Sequence, residues 1–282
     1  GNLSSVNENS YKQNATTSIS FFTFDIAIAF TWKIGISGRN LNQQMKKLNW
    51  KLIIVISLLV AVYITVRATG LMQFYTTPSQ SMAPTLKAGA RFAVSNLKKP
   101  KRNDVIAFTR ILTEKDGFDE PGKRLTFTSR LIAFGGETVE IKNGLAYVDG
   151  NLTDDSTHLQ FIYNATTESY NQLIDVLKID PGNEEKIYEI GGGKTVLLTL
   201  TNEEYTIAKR ITTLTKQEYE DGDLMLYQND TIKKWTVSNY GPITIPPDSY
   251  FVLGDNRDAS SDSRYNGPVS KKNLKGTFLF EY

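Results

Sequence analysis

The sequence predicts a mainly β protein: an antiparallel β domain, an inserted α+β subdomain and an N-terminal membrane anchor. Three observations predict it. Residues 91–97, 104–111, 125–134, 138–142, 145–148, 248–253 and 276–282 have the composition of strands, and Asn143-Gly144 between two of them is a hairpin turn signal. Helical patterns are confined to residues 151–245, where the composition shifts to Thr, Asn, Glu and Tyr. Residues 52–66 carry no charge at all.

Taken in order, residues 1–44 read as a disordered or spurious extension. Within them residues 18–32 are apolar apart from Asp25, short for a first membrane segment. Met45-Lys46-Lys47 reads as the natural start. Residues 45–74 read as the anchor. The charge-free run of 15 residues is short for a span of about 20. Trp50 and residues 68–74 extend it, with Arg67 snorkelling. Lys46, Lys47 and Lys51 precede the run, which keeps that end in the cytoplasm and places everything after it outside, in one pass or two.

Residues 75–150 and 246–282 read as the β domain and residues 151–245 as the insertion. In the insertion Tyr170, Leu173, Ile174 and Leu177 recur at helical spacing. Thr201-Asn202-Glu203-Glu204 has the form of a capping box. The run Gly191-Gly192-Gly193-Lys194-Thr195 lacks the first glycine of a phosphate loop, since Tyr188 stands there, so it reads as a turn. The subdomain is expected to lie away from the chemistry.

Composition narrows the function. A formal charge of +2 gives no case for nucleic acid binding. There is no cysteine and one histidine, His158, so a thiolate or zinc site is not expected, nor any cofactor. A Ser-His-Asp triad would require His158 as its base.

The stretch Thr76-Thr77-Pro78-Ser79-Gln80-Ser81-Met82-Ala83-Pro84 organises the rest. Pro78 and Pro84 fix φ and bias the residues before them towards extended backbone. The segment is predicted to be a stiff, non-helical ledge that holds the Ser81 hydroxyl in one place, as a nucleophile requires. Two further blocks stand downstream: Ser129-Arg130-Leu131-Ile132-Ala133-Phe134-Gly135-Gly136-Glu137, and Gly254-Asp255-Asn256-Arg257-Asp258-Ala259-Ser260-Ser261-Asp262-Ser263-Arg264-Tyr265. In this order behind an apolar segment, the blocks resemble a type I signal peptidase, over residues 45–150 and 246–282.

The resemblance implies a membrane-bound serine endopeptidase of the bacterial plasma membrane, with its catalytic domain on the outer face. Its partners would be the signal peptides of exported preproteins and membrane lipid, and a monomer is expected. It implies Ser81 as nucleophile, with the Ser81 N–H and the Ser79 hydroxyl as oxyanion hole. Ser260 would orient the base, and Asp262 and Arg264, with Arg130, would hold the last block against the base strand. The family pattern has lysine then arginine before the glycine turn. Here Ser129 stands at the lysine position, and a serine cannot replace a neutral amine. Lys123-Arg124 begins six residues upstream, about 20 Å along a strand, and Lys142 returns on the hairpin. Three arrangements stay open: a lysine reaching Ser81 from elsewhere, a water-mediated or partner-supplied base, or a catalytically inactive homologue that binds or scaffolds.

Overall fold

The computed structural model describes residues 49–112, 121–154, 156–182, 186–190, 192, 194–217, 226–228 and 234–282. The expectations for residues 1–44, the segment 18–32, Lys46 and Lys47 lie outside them. The chain divides into two units, residues 1–69 and residues 70–282.

In the first unit, helix α1 spans Trp50–Thr69, and none of its residues is buried. Its 20 residues give a rod of about 30 Å, the thickness of a bilayer core. Among the described residues it is the one helix long and apolar enough to cross a membrane. Thr65 and Thr69 donate their hydroxyls to the carbonyls of Ala61 and Thr65, at 2.8 and 2.6 Å, so neither is left unpaired. The helix stops at Gly70, whose φ of +67° breaks the repeat. Residues 73–74, expected within the anchor, instead open a strand.

The second unit contains three sheets. The first has seven strands: β1 (Gln73–Thr76), β2 (Arg91–Ser95), β3 (Val105–Ile111), β4 (Arg124–Phe134), β13 (Ser249–Leu253), β14 (Val269–Ser270) and β15 (Leu274–Glu281). Their order is β1-β2-β15-β3-β4-β13-β14, all antiparallel. The second sheet is ordered β12-β5-β6-β7, from β5 (Thr138–Lys142), β6 (Leu145–Val148), β7 (Asn151–Leu152) and β12 (Tyr240–Thr244). Asn143 and Gly144 have φ of +52° and +83° at the β5–β6 hairpin, where these residue types are tolerated.

The third sheet, β11-β8-β10-β9, comprises β8 (Gln160–Thr166), β9 (Ile187–Ile190), β10 (Thr195–Thr201) and β11 (Thr215–Lys216). With it go helices α2 (Thr167–Leu173) and α3 (Asn202–Ala208). The capping box at Thr201 and Glu204 is present at α3. The 151–245 stretch therefore begins and ends inside the second sheet, through β7 and β12, and only its middle forms the third. A shift in composition does not report where backbone pairing changes hands.

The third sheet has its own apolar core, including Phe161, Leu173, Val196, Leu198 and Leu200. The first sheet buries one face with Met82, Leu86, Phe92, Val94, Val105 and Ala107, and the other with Ile106, Phe108, Leu131, Tyr250 and Val252. The alternation of Val105, Ile106 and Ala107 between these clusters is the two-residue period of a strand buried on both sides.

Candidate active site

The site is built on residues 77–90, between β1 and β2. The Thr77 N–H donates to the Ala90 carbonyl at 3.0 Å, and the Gly89 N–H donates to the Thr77 carbonyl at 2.8 Å. Inside this closure the backbone runs as consecutive turns with no helix, as Pro78 and Pro84 lead one to expect. Met82 and Leu86, both fully buried, pin the segment into the core beneath it. Ser79 and Ser81 remain half-buried and reachable. Their hydroxyl oxygens are 3.2 Å apart. Among the described residues, Ser79 Oγ is the side-chain partner of the Ser81 hydroxyl.

The Ser81 backbone is held from the other end of the chain. Its carbonyl accepts the Asn256 N–H at 3.1 Å. Gly254, at the exit of β13, makes this approach sterically feasible. A Cβ there would lie 2.2 Å from Ser260 Oγ and 2.5 Å from the Ser81 carbonyl oxygen. Ser260, buried, therefore sits beside the Ser81 peptide. Leu131 and Arg130 pair with Val252 and Leu253, so the next step along β4 brings Ser129 level with Gly254. Ser129 is buried and shares its face of β4 with Phe127 and Leu131.

The three expected frame residues fall into two separate pairs. Arg130 joins β4 to the last block through Asp255, Nε to Oδ1 at 2.7 Å and Nη2 to Oδ2 at 2.5 Å. The Thr85 hydroxyl donates to the same carboxylate at 2.5 Å. The strand alternation sets this: Arg130 takes the face of its partner Val105, and Ser129 that of its partner Ile106. Asp262 and Arg264 pair with each other through two hydrogen bonds, at 2.9 and 2.8 Å, both side chains completely buried. Asp262 also accepts the Gly254 N–H at 3.1 Å, which ties this pair to the glycine where the serines meet. Burial works against the Arg264 charge, but the charge and hydrogen bonds of Asp262 outweigh it and raise the Arg264 pKa. Burial and the Asp262 carboxylate push the Tyr265 hydroxyl up to about 12, although Arg264 pulls the other way.

Lys142, a second expected source of an amine, pairs with Glu140 at 2.8 Å and lies 5.3 Å from the centre of the Tyr147 ring, on the second sheet. Arg124 opens β4, where it pairs with Ile111. His158 lies in a 3-10 turn before β8.

A family profile described as signal peptidase, peptidase S26, matches residues 47–282. The chain belongs to the signal peptidase family. It is 28% identical over 215 residues to a signal peptidase I of Buchnera aphidicola, covering 72% of this chain and 67% of that one. The same identity holds over 224 residues to a signal peptidase I of Aquifex aeolicus, covering 74% and 75%. It holds again over 240 residues to a signal peptidase I P of Bacillus subtilis subsp. natto, covering 83% and 88%.

Three groups of the frame around the last block escaped the reading of the sequence. Asp255 is the partner of Arg130, and Asn256 supplies the N–H that holds Ser81. Both stand inside the recognised block, which was a usable signal, though nothing in it says which acid pairs with which arginine. The third is Asp154, buried against Arg257. It lies before the insertion's own sheet, and no local pattern marks it.

Proposed function

We propose that this chain is a membrane-bound serine endopeptidase that cleaves N-terminal signal peptides from exported preproteins at the outer face of the bacterial plasma membrane. The observation that carries this reading is the fixed pair of Ser79 and Ser81 hydroxyls, 3.2 Å apart, beside an unpaired margin of β4. β4 pairs with β3 from 124 to 130 but with β13 only from 130 onwards, so among the described residues 124–129 have no strand partner on that side. An extended substrate can add there as a strand, its scissile bond brought to Ser81. Shallow pockets would admit small side chains at the first and third positions before the cut.

In this reading Ser81 Oγ gives its proton to a base and attacks the scissile carbonyl; the C–N bond then breaks, the mature chain leaves as its protonated amine, and water hydrolyses the ester to a carboxylate and free Ser81. The Ser81 N–H and the Ser79 hydroxyl stabilise the oxyanion. Ser260 orients the base, and Asp262, Arg264 and Arg130 hold the frame. Position 129 supplies no base, because a hydroxyl is not basic at neutral pH. Helix α1 is the tether, and the enzyme acts as a monomer.

The test is the full chain in lipid vesicles with a preprotein carrying alanine at those two positions. Mass spectrometry of the product is expected to show one cut after the second alanine, and Ser81→Ala to abolish it. Cleavage by Ser81→Ala at the wild-type rate would overturn the reading.

A further inference from the structure

The loop that holds Ser81 is itself held by the inserted subdomain. Asn256, which donates to the Ser81 carbonyl, is bracketed by one residue of β8. The Gln160 N–H donates to the Asp255 carbonyl, and the Gln160 carbonyl accepts the Arg257 N–H, both at 3.1 Å. Gln160 and Asn256 form a parallel bridge between segments almost a hundred residues apart in sequence. Both residues are buried. Two residues further along each segment, the Ile162 N–H donates to Asp258 Oδ2 at 2.9 Å. The clasp thus engages both peptide units flanking Asn256, and the Asp258 side chain completes it.

The clasp stands on a rigid base. Arg257 forms a completely buried two-pronged pair with Asp154, both contacts at 2.5 Å, and its guanidinium also donates to the carbonyls of Gly144 and Gly254. Asp154 in turn accepts the Ala146 N–H at 2.6 Å. On the other side of the same hairpin, Lys216 of β11 donates to the Asn143 carbonyl at 3.1 Å and sits 3.9 Å from the centre of the Phe161 ring. The third sheet therefore grips the catalytic loop through β8 and the β5–β6 turn through β11. Pairing at Gln160 and Ile162 leaves the loop no freedom to slide along β8 without breaking three hydrogen bonds.

We propose that the inserted subdomain is a positioning element for the nucleophile, acting through the Gln160 backbone and the Asp258 carboxylate on Asn256 and so on Ser81. Its consequence for turnover rests on the peptidase reading above; the mechanical coupling does not. Gln160 and Asp258 touch no substrate in this scheme. They set the place of the Ser81 backbone, and a misplacement near 1 Å at a reacting group costs about a hundredfold in rate.

Native-state hydrogen exchange on the full-length protein in detergent micelles, read by mass spectrometry under increasing urea, tests the coupling in the wild type. The amides of Asn256 and Arg257 are expected to lose protection together with those of Gln160 and Ile162. If they remain protected after β8 has exchanged, the inference falls. Asp258→Ala then tests it by substitution. Exchange in residues 77–86 should rise, while residues 91–95 of β2 stay as they were, and Asp258→Asn, which keeps the acceptor for Ile162, should restore the wild-type pattern. Faster exchange in β8 with none in residues 77–86 would also overturn it. If Asp258→Ala does not fold, the wild-type urea series decides alone.

Kinetics on the preprotein supply the second arm. Asp258→Ala is expected to lower kcat by about tenfold to a hundredfold with KM within about twofold of wild type, and Asp258→Asn to recover it. A loss confined to KM contradicts a positioning role. If the wild type cleaves nothing, the peptidase reading fails, and the exchange experiment still decides the coupling.

Discussion

Two neighbouring regions of this molecule use polar side chains in opposite ways. The block from Asp255 to Arg264 is crowded with charge, and its charged side chains are engaged: Asp255 by Arg130, Arg257 by Asp154, Asp258 by the Ile162 N–H, and Asp262 and Arg264 by each other. Around Ser81 and Gly254 the named polar groups are hydroxyls: Ser79, Ser129 and Ser260. Charges here form the frame, fixed by partners at both ends, and the reacting position is left neutral. Buried pairs of this kind give little net stability, but breaking one leaves an unpaired charge that is costly. The division therefore predicts that substitutions at the ion pairs of the frame act first on folding and substitutions among the hydroxyls act on rate.

The sharpest way to break that division is to place a charge-capable group among the hydroxyls. Ser129→Lys puts an amine on β4, level with Gly254, on the face that carries Phe127 and Leu131. Desolvation there disfavours the ammonium form and makes the amine a proton acceptor near neutral pH. Peptidase activity is expected to rise by about 10²–10⁴-fold, the usual range of general-base assistance. A wild type that is already fast, and that the substitution slows, would show that a base works from another segment. A wild type and variant that are both inert would favour a silent homologue.

The frame is tested next, at Arg264. Arg264→Met removes the guanidinium from a completely buried position and leaves Asp262 unpaired. It also vacates the hydrogen bonds to the carbonyls of Val237 and Arg257. Chemical denaturation should show a loss of about 3–5 kcal/mol. The activity of whatever fraction stays folded should change far less. A variant as stable as wild type but slow in turnover would invert the division.

How much of this was legible in the sequence follows from the range of each interaction. All seven expected strands form, because strand composition and the Asn143-Gly144 turn act locally. The α3 cap was readable for the same reason. Met82 and Leu86 were not identified as the pins of the ledge, since apolar residues within a Pro/Ser-rich segment follow no period. That Arg130 meets the last block through Asp255 was out of reach. It depends on which face of β4 Arg130 takes, and that is set by register against β3 and β13. The clasp at Gln160 is the extreme case. It is made largely by backbone atoms, which every residue has, so no side-chain pattern announces it. The expectation that the insertion lies away from the chemistry is overturned by those backbone bonds.

The smallest expected effect tests the frame from within, at Asp258. Burial raises its pKa, against the lowering effects of the Ile162 N–H and of Lys216, Arg264 and Arg257. The sign follows directly. Below the ordinary aspartate pKa of about 3.9 the group is protonated in both folded and unfolded chains, and burying it carries no charge penalty. As pH rises past that value, the unfolded chain releases its proton first, so stability from this group falls until the folded pKa is passed. Asp258→Asn cannot titrate, and its Oδ1 can still accept the Ile162 N–H. The difference in Tm between variant and wild type should therefore move in the variant's favour between pH 3 and pH 7. A difference that moves the other way would mean that the three neighbouring cations, rather than burial, dominate at this carboxylate, and that Asp258 belongs with the paired charges of the frame.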